Sequence, residues 1–125
     1  MYPAFRSNCP IASALDLFGD KWTLVVLRTI FAGRHRFGEL GGMAEPIATN
    51  MLADRLQRLE DFGLIERRVY SERPPRHEYW LTPRGADALP ILQAMAAWSQ
   101  QHIPDRWASP GWFAEGVPQD FYPKP

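Results

Sequence analysis

Apolar positions recur along the chain at helical spacing first, then at strand spacing, then at helical spacing again. Ile11, Ala14, Leu15 and Phe18 predict a first helix, and Gly19 stops it. Asp20 is placed to cap a second helix over Lys21–Phe31, which is apolar on most of its circumference and is therefore expected to be the most buried. Arg34-His35-Arg36 reads as a short extended piece. Phe37 and Leu40, with Met43 beyond them, mark a short third helix that Gly41-Gly42 weakens. Glu45-Pro46 breaks the chain again.

The fourth helix, Ala48–Phe62, has the clearest pattern. At about 100° per residue, Leu52, Leu56, Leu59 and Ala48 form one stripe, while Asn50, Asp54 and Gln57 point directly away from it. Ala53 and Arg58 lie on the shoulders, and Gly63 is a natural residue to follow the helix. Ile65–Ser71 then alternates as a strand, Arg73-Pro74-Pro75-Arg76 reads as a loop that cannot pair regularly, and His77–Leu81 returns as a second strand. Thr82-Pro83 starts a last helix that is expected to run to about Gln101 with a kink at Pro90. Its stripe is Ala88, Ile91, Leu92, Met95 and Trp98.

From Pro104 onward there are five prolines and five aromatics (Trp107, Trp112, Phe113, Phe121 and Tyr122), a stretch that reads as neither helix nor low-complexity linker. Disordered tails are poor in aromatics, so this one is expected to pack on the domain or on a partner subunit. The expected organisation is one domain over 1–103 and a tail over 104–125. The fold class is mainly α with a small antiparallel β-hairpin.

With 125 residues, 46% apolar and 22% charged, the composition is globular. No run reaches the roughly 20 apolar residues of a membrane span, and Met1–Arg6 lacks the apolar stretch of a signal peptide, so a cytoplasmic location is expected. Cys9 stands alone, which excludes an internal disulfide and a multi-cysteine zinc site. His35, His77 and His102 have no metal-ligand spacing, and no phosphate loop, nucleophile elbow or catalytic triad is present. Neither enzyme activity, metal nor cofactor is expected; a thiol enzyme on Cys9 would lack a base and a resolving cysteine. The net charge is zero, but residues 1–84 hold 12 basic and 10 acidic side chains, and 12 of the 14 basic residues are arginine. Arginine's planar fork suits phosphate and guanine, although a GC-rich genome gives the same bias.

A short helix, a break, an amphipathic helix and an arginine-bearing hairpin form the order of a winged helix-turn-helix. Such a helix fits the major groove, the helix before it braces it, and Arg73 and Arg76 reach a neighbouring phosphate or the minor groove. Asn50 and Gln57 suit adenine, and Asp54 suits cytosine N4. The plain alternative is that every amphipathic helix has a polar face.

The chain resembles the HxlR-type bacterial winged helix-turn-helix regulators over about residues 8–100. The resemblance rests on Cys9-Pro10-Ile11, Gly19-Asp20-Lys21-Trp22-Thr23, Arg36-Phe37-Gly38-Glu39-Leu40 and Ile47–Leu56. It continues through Leu59-Glu60, Gly63-Leu64-Ile65, Pro74–Tyr79 and Leu81-Thr82-Pro83-Arg84-Gly85. It implies a homodimer on double-stranded DNA, with the helix from Ala48 as recognition helix and Arg67–Leu81 as the wing. The expected DNA-facing set is Arg36, Thr49, Asn50, Ala53, Asp54, Gln57, Arg58, Arg73 and Arg76. Arg55 is left open between Glu39, Glu60 and a phosphate. The first and last helices are expected to form the dimer interface through Leu15, Phe18, Leu92, Met95 and Trp98.

Cys9 precedes a helix N-terminus, a setting that generally raises the thiolate fraction, with Arg6 near in sequence. Regulators that the chain resembles often carry a cysteine here, and several of them sense quinones, aldehydes or oxidants through it. A mixed disulfide, a Cys9–Cys9′ bridge or a sulfenic acid are the available oxidised forms; the alternative is a small packed residue. Two rival functions stand beside a sequence-specific regulator of an inverted-repeat operator. One is a regulator with a small-molecule effector in an aromatic pocket of Trp98, Trp107, Trp112 and Phe113. The other is a winged-helix protein-interaction module that never touches DNA.

Overall fold

The leucine stripe of the fourth helix is the seam around which the core is assembled. The computed structural model describes residues 4–124; Met1–Pro3 and Pro125, the outer ends of the expected domain and tail, lie outside the described residues. The elements are α1 (Pro10–Phe18), α2 (Thr23–Phe31), α3 (Phe37–Gly41), α4 (Thr49–Asp61), β1 (Ile65–Glu72), β2 (Pro75–Leu81), α5 (Pro83–Ala86), α6 (Leu89–His102), α7 (Gly111–Ala114) and a 3-10 turn over Pro118–Phe121. Leu52, Leu56 and Leu59 of α4 are buried against Val26, Leu27 and Ile30 of α2, Leu40 of α3, Ile65 and Leu81 of the hairpin, and Leu89 of α6. Burying each such side chain contributes about 1.5–3 kcal/mol, so this cluster holds α4 to the body.

α2 begins at Thr23 rather than Lys21 because the Asp20 carboxylate reaches past the turn and accepts from the backbone N–H of Trp22 (3.0 Å) and of Thr23 (3.1 Å). α4 ends at Asp61, and Gly63 takes φ +80°, the left-handed conformation that turns the chain into β1. The hairpin pairs Ile65 with Leu81 and continues to Glu72 opposite Pro75, with one irregularity at Tyr70. The loop expected over Arg73–Arg76 is therefore shorter. Pro75 and Arg76 belong to β2, and only Arg73-Pro74 turns the chain. Proline is tolerated as the first residue of an edge strand, where no ladder N–H is required. The extended piece before α3 adds a third rung. Arg36 bridges to Glu78, and the Tyr79 N–H donates to the His35 carbonyl at 2.7 Å.

The continuous last helix expected from Thr82 is two helices. Thr82 caps α5, its hydroxyl accepting from the Gly85 N–H at 3.1 Å, but the chain breaks at Asp87-Ala88. Pro90 sits in the first turn of α6, where its missing N–H has no intrahelical partner to lose, so it marks a start and not a kink. The tail also departs from expectation, since it contains two helical turns. Phe113 joins the core, Gln93 Nε2 donates to the carbonyls of Phe113 (2.8 Å) and Gly116 (2.9 Å), and the Tyr122 hydroxyl donates to Asp87 (2.6 Å). Phe121 packs edge-on against Phe31 at 4.9 Å.

α5 approaches the hairpin root so closely that a Cβ on Gly85 would lie 1.9 Å from the Leu64 carbonyl oxygen. Backbone cannot retreat from such a contact as a flexible side chain can. Gly85→Ala is expected to destabilise the fold by about 1–3 kcal/mol or more, despite alanine's better helix propensity. Urea unfolding checks this, with a lowered midpoint as the expected result.

Candidate nucleic-acid interface

α4 presents Thr49, Asn50, Ala53, Asp54 and Gln57 to solvent on the side away from the leucine seam. Ala48, not Thr49, occupies the cap position, and no side chain caps this helix. The Thr49 side chain and the first backbone N–H groups of α4 are thus left facing outward, a ready setting for a phosphate. Gln57 is steadied by donating to Asp61 at 2.9 Å, one turn on. Asp54 is paired with Arg55, which offsets the repulsion that a bare carboxylate would meet beside DNA.

Arg55 is assigned by the structure to a partner outside the pair considered from sequence. It is only 15% exposed and its Nε donates to Asp20 at 2.7 Å, while Arg58 lies 3.8 Å from the same carboxylate. Burial alone would raise the Asp20 pKa. Hydrogen bonds from the Thr23 hydroxyl, Arg55 and the Trp22 N–H, with the Arg55 charge, outweigh it and hold the carboxyl well below the usual range. Asp20 therefore both starts α2 and clamps α4.

Arg34, Arg84 and Arg106 donate to backbone carbonyls, and the other arginines sort into two groups. Arg28 pairs with Glu45, Arg67 with Glu60, Arg68 with Glu66 and Arg6 with Asp16. Arg36 pairs with Glu78 at 3.1 Å and lies over the Tyr70 ring at 4.0 Å, so this predicted DNA contact is tied to the wing. Arg73 and Arg76, flanking the hairpin tip, are exposed, and their side chains make no hydrogen bond or ion pair among the described residues.

The wing is anchored at its root by contacts that the sequence pattern did not reveal. The His35 ring stacks on Trp80 at 3.7 Å with 11° between planes, and its Nδ1–H donates to the Tyr79 carbonyl at 2.8 Å. The adjacency of His35 to the bracing helix and of Trp80 to the strand end was the available signal, but pairing residues so far apart in sequence required the fold.

The remaining expected sites are dispersed. Cys9 is exposed at the N-cap of α1, and Arg6, expected beside it, is turned to Asp16 at 2.6 Å. Of the expected dimer residues, Leu15, Met95 and Trp98 are exposed, Phe18 is half-buried on the core, and Leu92 is only 8% exposed. Leu92 thus already belongs to the protomer's own core. Trp107, Trp112 and Phe113 line an open cavity of about 690 Å³, which Trp98 does not join.

The HxlR-like helix-turn-helix family profile matches residues 17–106. The chain belongs to this family. It is 44% identical over 95 residues to an HTH-type transcriptional regulator of Synechocystis, covering 74% of this chain and 70% of that protein. Among solved structures, the redox regulator HypR in its reduced form is 32% identical, covers 77% of this chain and 95% of that one, and superposes with a TM-score of 0.71. Quinone-bound YodB from B. subtilis is 33% identical, with 74% and 99% covered and a TM-score of 0.63. The fold is a winged helix, and the HxlR-like chain is a transcriptional regulator with a helix-turn-helix DNA-binding domain. No helix among the described residues is long and apolar enough to cross a membrane.

Asp20 makes this interface depend on pH in a defined direction. Its charge persists to lower pH in the folded protein than in the unfolded chain. The stabilisation is therefore complete above the ordinary value of 3.8 and is lost as pH falls from there toward the lower folded value. Asp20→Asn is expected to lose about 1–3 kcal/mol at neutral pH, because Arg55 keeps only the exposed Asp54 as counter-charge and the start of α2 loses its charged acceptor. Below about pH 4 the variant should respond less to acid than wild type. Urea midpoints measured from pH 2 to 7 for both proteins check the magnitude and the sign.

Proposed function

We propose that this protein is a sequence-specific repressor that acts in the cytoplasm as a homodimer on an inverted-repeat operator. The observation that carries the reading is the juxtaposition of an unburied polar face on α4 with two unpartnered arginines at the wing tip. Thr49, Asn50, Ala53, Asp54 and Gln57 enter the major groove, with Asn50 and Gln57 offering paired donor and acceptor groups to adenine. Arg58 lies at the groove edge. Arg73 and Arg76 reach the flanking backbone, and Arg36 stiffens the wing that carries them. The pairing of Arg6, Arg28, Arg36, Arg55, Arg67 and Arg68 with carboxylates argues against a general polyanion-binding surface and for contacts at chosen points.

Two surfaces support the dimer. Ile11 is 72% exposed on α1, and Trp98 is 61% exposed on α6, each continued along its helix by a second large apolar residue, Leu15 and Met95. Exposed apolar surface of this extent on two helices is characteristic of an interface. Half-sites then lie about one helical turn, roughly 34–36 Å, apart.

Asn50→Ala is expected to weaken operator binding by about 1–3 kcal/mol with little change on unrelated DNA. Arg76→Ala is expected to weaken both equally and to lower the salt slope by about 1. Salt-dependent titrations on operator and unrelated duplexes distinguish them. Undiminished affinity in both variants would place the DNA surface elsewhere.

A second reading concerns regulation. Cys9 is exposed at the head of the proposed dimer helix, and similar folds include a redox regulator and a quinone-bound one. On this reading two Cys9 thiols of a dimer give up two protons and two electrons to an oxidant such as diamide, and one S–S bond forms between subunits. Treated wild type is expected to run as a covalent dimer without reductant and to change its operator affinity. Cys9→Ser is expected to do neither, and identical responses from the two proteins would remove the switch.

A further inference from the structure

A cavity of about 510 Å³ lies where the end of α2, the root of the wing and the C-terminal tail meet. Its volume falls within the range of small-molecule sites, about 300–1,000 Å³. One wall is Trp80, which cannot swing freely because it is stacked on His35, itself pinned to the Tyr79 carbonyl. Phe121, held edge-on against Phe31, also lines the cavity. Two cations stand at the same cavity. Arg68 gives Nε and Nη2 to Glu66 and lies 4.9 Å from the Trp80 ring centre, with Nη1 lacking a hydrogen-bond partner among the described residues. The Lys124 ammonium likewise makes no hydrogen bond or ion pair with any described residue. The acid on this rim, Asp120, already accepts from the Val117 N–H at 3.0 Å.

Flat aromatic walls set beside two cationic donors select a ligand with a flat apolar body and one negative end. Asp120 also lines the cavity, but its Oδ2 already takes the Val117 N–H, so the donors left to a ligand are the Lys124 ammonium and Nη1 of Arg68, and both suit an anion. We propose that this cavity binds an aromatic carboxylate of one or two rings, with the ring between Trp80 and Phe121 and the carboxylate on Lys124 and Arg68. The site joins the wing root to the tail, so it is distinct from the α4 face and from the Trp107 cavity.

The test is calorimetric titration of the full chain, without DNA, with benzoate, 2-naphthoate and the uncharged 2-naphthamide. Its outcome is therefore independent of the DNA-binding reading. Saturable binding of at least one acid is expected. The amide should bind about ten-fold or more weakly than 2-naphthoate, and Lys124→Gln should weaken the acid by a similar factor. Trp107→Ala, in the other cavity, should leave binding unchanged. The proposal is overturned if neither acid saturates, if amide and acid bind alike, or if Trp107→Ala and not Lys124→Gln removes binding. It is also overturned if Lys124→Gln binds 2-naphthoate as tightly as wild type does.

Discussion

The Asp20 carboxylate is the interaction on which the geometry of the DNA-binding half depends. It joins three otherwise separate tasks. It starts α2 by accepting two backbone N–H groups, it takes the Thr23 hydroxyl, and it holds Arg55 of α4. The leucine seam alone would let α4 slide or roll, because apolar contact is non-directional. A charged, hydrogen-bonded contact has direction, so Asp20 sets the rotation of α4 about its own axis. That rotation decides whether Asn50 or a neighbour lies on the exposed face of α4. The cost of burying Arg55 is offset because its partner is already oriented by the helix end.

The charge distribution follows the same logic. A chain of zero net charge gains little long-range attraction to DNA. Its positive charges must therefore act locally, and the structure places most of them out of use for that purpose. Surface ion pairs such as Arg68–Glu66 contribute little stability on their own. Their larger effect is to cancel charge over much of the body while Arg73 and Arg76 at the wing tip stay unpaired. The Glu78 carboxylate illustrates this at the wing root. It accepts from the Trp80 indole N–H and from Arg36, which together hold its charge, and Arg36 is thereby fixed against Tyr70.

Most of the secondary structure was legible because period and punctuation agreed. The α4 stripe, the Gly63 exit, the Thr82 cap and the hairpin each left a local signature. The errors arose where one residue type carries two meanings. Pro90 reads as a kink in a long helix or as the start of a new one, and only the packing of α5 on Leu64, through Gly85, forces the break at Asp87-Ala88. Pro75 reads as a strand breaker but is harmless at a strand's first residue. The polar face of α4 was legible from periodicity, whereas the partners of Arg55 and His35 were not. Those pairings join residues 35 and 44 positions apart, and no local pattern records them.

α1 poses the remaining physical question. It is nine residues long, and none of them is buried. Isolated helices shorter than about 12–15 residues are marginal in water, so packing must supply most of its stability. Within the protomer it has Leu17 and Phe18 against the core and the exposed Arg6–Asp16 pair, while Ile11 and Leu15 face outward. A second copy of α1 and α6 offers matching apolar surface at no cost in new sequence, since a two-fold interface uses each patch twice. On that arrangement the order of α1, and with it the position of Cys9 at its head, becomes a property of the assembly. A change at Cys9 would then act on the interface first and on the two recognition helices through it.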